Sequence, residues 1–376
     1  MMAGVKRSAC LALAVAAAVA GLAACSADKP KPAPLPTIES PIAGRQVWEA
    51  RVSGVNFPLA VALRNGRFHV AGDDGTVVAL EVATGRELWR GEVGAKLSAG
   101  VGSDGRYAAV VTRANELVVL DGGNVVWRQK LESPVVTAPL VAGERVFVLG
   151  VDRVVNAFDV LDGRRLWTLK RPGDALTLSQ AGMLAPYKDT LLVGQGSRLV
   201  GLDPLKGTVR WDTALTTPRG TNEVERLADL VGPPSRTDSV FCMRSFQNAV
   251  GCIDAERGSL KWVQNTGGIE PVGGNEEYVF SADSSDRISA RKRASGELAW
   301  STEVLLNRGL SAPAALGTAV VFGDLDGQLH FLSQAEGKPV LRLPTDGSRV
   351  AAAPVISDNT LLIVTRKGGV FAFRPE

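Results

Sequence analysis

The sequence predicts an all-β fold, an eight-bladed β-propeller of four-stranded antiparallel blades whose ring is closed by the N-terminal strand joining the last blade. Three observations carry this. A glycine four positions ahead of a tryptophan or leucine recurs at Gly44/Trp48, Gly85/Trp89, Gly123/Trp127, Gly163/Trp167, Gly207/Trp211, Gly258/Trp262, Gly296/Trp300 and Gly337/Leu341. Successive markers lie 38 to 51 residues apart, and all seven tryptophans of the 376-residue chain fall on this one register. A period of about 40 to 45 residues suits four short strands and their turns, one blade. Finally, the two ends complete each other. Trp48 has no strands of its own unit before it, whereas the last unit, "RVAAAPVISDNTLLIVTRKGGVFAFRPE", has strands but no marker after them.

Taken in chain order, the first 24 residues read as a secretory signal. Lys6 and Arg7 precede an apolar run too short and too rich in small residues for a typical membrane-spanning helix. Leu22-Ala23-Ala24-Cys25 resembles a bacterial lipobox, which implies cleavage before Cys25 and a lipid on its thiol. Ser26 after that cysteine is the pattern of lipoproteins sent on to the outer membrane, so the expected location is its periplasmic face, held by lipid.

Residues 25–43 carry Pro30, Pro32, Pro34, Pro36 and Pro41 and almost nothing able to pack. They read as an extended tether reaching about 45 Å. Residues 44–376 are then the propeller, a single domain. Inside each unit an apolar run, a turn cluster and a second short run repeat, as in "RVFVLGVDRVVNAFDVLDGRRLW". Asp162-Gly163 and Thr84-Gly85 supply the positive-φ residue that tight hairpins need. The tryptophans are expected to pack between neighbouring sheets. Joining the Gln46–Ala50 strand to the C-terminal strands leaves no open sheet edge.

Without Lys6 and Arg7 the chain carries 40 basic against 39 acidic residues, which gives no encouragement to nucleic-acid binding. Neither of the two histidines, His69 and His330, sits near a phosphate loop or metal-ligand cluster, so both are expected to be structural. Asp73, Asp74, Asp324 and Asp326 stand beside glycines at hairpin turns, where their side chains suit turn geometry. No catalytic, cofactor-binding or metal site is assigned. Cys242 and Cys252 flank a hairpin symmetrically about Gln247 and should lie opposite one another; a disulfide and a pair of buried thiols both fit.

The longest marker interval, Trp211 to Trp262, exceeds the usual 40 by about ten residues, and the excess falls in "TTPRGTNEVERLADLVGPPSR". An inserted loop on a rigid ring is where binding function tends to sit. Glu223, Glu225, Arg226 and Asp229 would orient a partner, with Val224, Leu227 and Leu230 as apolar anchors. A solvated loop with its own apolar cluster stays open as the alternative.

Segments such as "GTVVALEVATGRELW" and "AVGCIDAERGSLKW" resemble the pyrroloquinoline-quinone-type repeat, a class divided between quinoprotein dehydrogenases and non-enzymatic propellers. The lipobox points to the second group. "RGTNEVERLADLVGPP" and "GLSAPAALGTAVVFGDLDGQLHFLS" resemble the BamB family, propeller lipoproteins of the outer-membrane β-barrel assembly machinery, and the similarity runs through the whole mature chain. The resemblance implies a non-enzymatic scaffold without a cofactor, monomeric within a hetero-complex. It also implies binding to the POTRA domains of BamA and help in delivering unfolded outer-membrane proteins. It places the family's contact aspartate at Asp229, with Val231 where a second acid is familiar, and a second contact loop at Leu176-Thr177-Leu178, with Ser179 in place of its arginine. Adjacent blades should bring the two loops side by side. The competing readings are an envelope propeller that binds another ligand or protein and, further off, a quinoprotein dehydrogenase. The latter would need a quinone, a calcium ion and an aspartate base.

Overall fold

The computed structural model describes residues 30–39, 41–171, 178–218 and 221–376. Its 32 strands form eight antiparallel sheets of four. We number the blades by position: blade 1 spans residues 62–92, blade 2 102–130, blade 3 140–169, blade 4 184–214, blade 5 230–265, blade 6 273–302 and blade 7 314–344. Blade 8 combines residues 355–375 with the N-terminal strand Gly44–Arg51, which pairs from Gly44 opposite Pro375 to Arg51 opposite Gly369. The ring is therefore closed as the two complementary ends predict.

Burial follows sequence pattern strand by strand. The second strand of blade 2, Tyr107–Val111, is apolar and buried at every position, because both faces lie against neighbouring sheets. The outermost strand, Asn124–Lys130, alternates toward solvent, with only Trp127 and Gln129 among its half-buried positions. Core clusters accordingly run between blades rather than within one: Val110 and Val118 of blade 2 pack with Val70 and Val78 of blade 1.

The Gly-x-x-x-Trp marker has a geometric cause. Gly85 has φ 71°, and a Cβ there would lie 2.4 Å from the Trp48 ring of the preceding blade. Backbone conformation and ring contact both demand glycine. The same contact, at 2.4 to 2.7 Å, joins Gly163 to Trp127, Gly207 to Trp167, Gly258 to Trp211, Gly296 to Trp262 and Gly337 to Trp300. Five indoles also donate Nε1–H to a carbonyl of the next blade, those of Trp48, Trp127, Trp167, Trp262 and Trp300 to Val82, Val160, Pro204, Arg293 and Gln334 at 2.7–3.0 Å. Six of the seven tryptophans are thus wedged tightly between blades, while Trp89 stands 3.3 Å from a Cβ placed on Gly123.

Two structural expectations need correction. Residues 31–36, read as a tether with little to pack, lie against blade 7. Ala33 donates its amide to Leu306 O at 2.8 Å, and Arg308 and Arg342 donate to the carbonyls of Ala33 and Pro36. Leu35 joins the blade 6–blade 7 core. The sequence hid this because the partners are arginines 275 and 306 residues away. The second correction concerns Leu230, 2% exposed: it is a core residue, not a surface anchor, and Val231 beside it is equally buried.

His330 is buried and donates from Nε2 to Asp324 Oδ2 at 2.9 Å. Burial alone would raise the Asp324 carboxyl, but bonds from His330, the Gln328 amide and Arg308 outweigh it and hold the group below the usual range. His69, fully buried, lies 3.4 Å from Ser103 Oγ and 5.7 Å from the Trp89 ring centre. Burial lowers its pKa to about 4. The unfolded imidazole titrates near 6.5, so the unfolded chain binds the extra proton as pH falls between 6.5 and 4. The contribution is complete above pH 6.5 and about 3 kcal/mol of it is lost by pH 4. Urea unfolding at pH 7 and pH 4 should show His69→Gln losing less stability on acidification than the wild type. An equal loss would remove His69 from the account.

Candidate functional site

Asp229 lies in the connection from blade 4 to blade 5, immediately before the strand Leu230–Thr237. Its Oδ1 accepts from Arg153 Nε at 3.2 Å and pairs with Nη2 at 3.0 Å, and both side chains are 18% exposed. Arg153 occupies the turn between the second and third strands of blade 3, with φ 62°. Its carbonyl accepts from Gln195 of blade 4 at 3.0 Å. Asp229 is therefore not at a loop tip. It is a half-buried tie among three blades, and its backbone carbonyl accepts from Phe246 N. Its Oδ2 is buried with no hydrogen-bond partner among the described residues. A buried carboxylate oxygen without a donor is unfavourable unless something supplies one.

Leu178 shares a narrow recess with this pair. The recess also takes in Gln180, Ala181, Thr137 and Val151. Gly182 and Val231 form an isolated antiparallel bridge, and the Gly182 amide donates to Thr137 Oγ1 at 2.8 Å. The two predicted contact elements therefore meet at Leu178 and Asp229. Leu176 falls outside the described residues, as does the lipid-bearing candidate Cys25.

The insertion is arranged differently from the sequence reading. Glu225 is exposed, and its Oε2 accepts from Thr221 N at 2.7 Å and Thr221 Oγ1 at 3.2 Å, closing the loop on itself. The Thr221 amide bond, first among the causes, holds this carboxyl below its usual range. Glu223 is exposed, as is Val224 at 68%. Arg226 donates its amide to Asn222 O. Val224, Glu225 and Leu227 line a separate recess with Phe246 and Leu260.

The ring's central opening, of about 450 Å³, is lined by Glu270, Arg349, Arg366, Ser179 and Gln180 among others. Burial raises the Glu270 carboxyl, opposed by Arg349 at 3.3 Å. Among the described residues no group of three or more His, Cys, Asp or Glu side chains is placed to hold a metal ion. Nor is any helix among them long and apolar enough to cross a membrane. Cys242 and Cys252, directly opposite in register, are joined as a disulfide, and Arg293 Nη1 lies 3.2 Å from Cys242 Sγ. Asp74 accepts from Ser53 and from the Thr76 amide, and Asp73 pairs with Arg113 at 2.7 Å, so these acids serve turns and blade contacts.

A closed eight-bladed ring with tryptophan-wedged blades and a half-buried acidic recess at one edge defines a β-propeller of the repeat class found in both quinoproteins and scaffolds. The family model described as outer membrane protein assembly factor BamB matches residues 40–96, 73–302 and 292–376, and the chain belongs to that family. An outer membrane protein assembly factor BamB of Burkholderia pseudomallei is 36% identical over 336 residues, 88% of each chain. The crystal structure of BamB from Moraxella catarrhalis superposes with a TM-score of 0.79 at 23% identity, covering 88% of this chain and all of that one. A quinohemoprotein alcohol dehydrogenase from Comamonas testosteroni shares the fold, with a TM-score of 0.68 at 16% identity over 88% of this chain and 76% of that one.

Proposed function

We propose that this chain is a non-enzymatic scaffold of outer-membrane protein assembly, held by a lipid on Cys25 at the periplasmic face of the outer membrane. In this reading it binds the POTRA domains of BamA through the recess at Leu178 and Asp229 and assists the insertion of outer-membrane proteins. The observation that carries the reading is the buried Asp229 Oδ2, which has no donor among the described residues, beside an apolar side chain on an adjacent loop. An arginine or backbone N–H of a partner would complete it. Membership of the assembly-factor family supports the same partner.

Affinity capture of the tagged protein from detergent-solubilised outer membrane should recover BamA. Its absence, with the propeller intact, would favour an envelope propeller of another role. The anchor has its own check. Cys25→Ala should leave the chain without lipid and released from membranes, as read by mass spectrometry of the N-terminus and by fractionation. Membrane retention with an unmodified N-terminus would contradict the lipobox.

A further inference from the structure

The N-terminal segment is held on blade 7 by a prepared set of groups. Pro32 and Pro34 are exposed while Ala33 and Leu35 between and beside them are half-buried, so residues without an amide hydrogen take the outer positions and Ala33 gives its N–H to Leu306 O. Proline at every second position also restricts the undocked chain, which reduces the conformational entropy lost on docking. Arg308, 8% exposed, is fixed through Nε by Asp324 Oδ2 and through Nη2 by Asp326 Oδ2, each at 2.9 Å, which leaves Nη1 to donate to Ala33 O at 3.1 Å. Asn307 Nδ2 donates to Lys31 O at 3.2 Å, and Arg342 Nη2 to Pro36 O at 3.1 Å. Leu35 packs on the blade 6–blade 7 core and Ile42 on the blade 7–blade 8 core.

This strap crosses the ring from one face to the other. It ends where the strand Gly44–Arg51 begins, with Gly44 opposite Pro375 and beside residues 358–359, the turn between the first and second strands of blade 8. At its other end Lys31 sits on Asn307, in the connection from blade 6 to blade 7, and the Asn307 amide donates to Ser285 O in the turn between the second and third strands of blade 6. In an antiparallel blade whose four strands follow in order, the connection to the next blade and the turn between second and third strands share one end, and the turn between first and second strands lies at the other. Asp229, in the connection from blade 4 to blade 5, and Arg153, in the second turn of blade 3, therefore share the face that carries Lys31. Without the strap the chain would leave the propeller from the opposite face.

The leash beyond the strap is short. From Lys31 to Cys25 is six residues, at most about 22 Å when fully extended, whereas an undocked chain from Gly44 would allow about 70 Å. Presenting the opposite face to a membrane would require those six residues to run back past a blade whose strands are themselves about 20 Å long, leaving nothing to reach the bilayer. We infer that the docked strap turns the face bearing the Leu178–Asp229 recess toward the phospholipid surface and holds the rim of blades 6 and 7 within about 20 Å of it. This rests on the lipid at Cys25 proposed above. The recess and the bilayer then lie on the same side, so a partner rooted in the membrane meets the recess without the propeller turning over.

Full-length protein purified from membranes is inserted into vesicles of phosphatidylethanolamine and phosphatidylglycerol that carry an acceptor-labelled lipid, after mass spectrometry of its N-terminus. A donor dye is placed on Ser285→Cys, on the face of the recess, or on Ala335→Cys, in the turn between the third and fourth strands of blade 7 on the other face; both positions are exposed. With the faces about 20 Å apart, energy transfer to the bilayer should be at least about 1.5-fold greater from Ser285→Cys. Replacing residues 30–39 with an equally long Gly-Ser run keeps the anchor and the chain length but removes the docking, and should erase the difference. Should that chain not fold, Leu35→Asp combined with Arg342→Ala should do the same. Equal or reversed transfer in the lipidated wild type, or a difference that survives the strap variants in folded protein, would overturn the inference while leaving the lipid on Cys25 in place. A chain that carries no lipid on Cys25 would overturn both.

Discussion

Deleting residues 26–52 is expected to abolish the cooperative thermal transition of the propeller, whereas deleting 26–39 should lower it only modestly. The longer deletion removes the strand Gly44–Arg51, and with it seven paired positions along Gly369–Pro375. It also removes Trp48, whose ring wedges against Gly85 of blade 1 and whose Nε1 bonds Val82 O at 3.0 Å. The seam to blade 1 loses its mortise, and the strand Gly369–Pro375 becomes an unpaired edge that invites aggregation. Ala50 and Trp48 pack on the largest core cluster, so apolar surface is exposed as well. The shorter deletion costs only the docking of Ala33, Leu35 and Pro36 on blade 7, a few hydrogen bonds at about 1 kcal/mol each plus the burial of one leucine. Circular dichroism melts of the two truncations distinguish them. Coincident curves would refute the ring-closing role.

Arg244→Met is expected to lose on the order of 4 kcal/mol, because a buried charged donor is removed from a fully formed set of acceptors. Arg244 has no exposed surface. Its Nε donates to Glu270 O at 2.7 Å, Nη1 to Thr266 O and Gly267 O at 3.1 and 2.7 Å, and Nη2 to Ala282 O at 2.8 Å. The side chain leaves blade 5 and gathers the connection to blade 6 together with the blade 6 strand Tyr278–Ala282. Burial lowers its pKa to about 10, which still leaves it charged at neutral pH. Arg244→Lys keeps a cation but lacks the planar fork that reaches four carbonyls, so it should recover little. Urea unfolding monitored by tryptophan fluorescence reads both variants. A loss below about 1 kcal/mol for Arg244→Met would mean that water satisfies those carbonyls as well as the guanidinium does.

The ring was legible because its cause is periodic. Glycine at Gly85 and its equivalents is required by backbone angle and by the indole beside it, so selection for the seam writes itself into the sequence every 38 to 51 residues. Closure was legible from the same register, since Trp48 belongs to a unit whose other strands come last. The candidate site was only partly legible. Asp229 and Leu178 do converge, as adjacent connections must, but Arg153, the residue that holds Asp229, sits 76 positions away with nothing local to mark it. Nor did the sequence signal that Glu225, read as a partner contact, would accept from the Thr221 amide of its own loop while its own amide donates to Asn222 Oδ1. Arg244 follows the apolar run "VFCM" within its strand, and an arginine in a strand buried at nearly every position was the one available signal of a carbonyl-gathering role.

The scaffold reading rests most directly on Asp229. Purified POTRA domains of BamA are to be titrated against the wild-type propeller and Asp229→Ala, with circular dichroism as the folding control. Removing the carboxylate takes away the acceptor offered to the partner and leaves Arg153 without its Asp229 ion pair. The loss of a charge-assisted bond at a desolvated interface is about 2 to 5 kcal/mol, and 1.4 kcal/mol is a factor of about ten in affinity. Binding by the wild type and at least about tenfold weaker binding by a folded Asp229→Ala are expected. Unchanged affinity in the folded variant would contradict it and remove this recess from the interface.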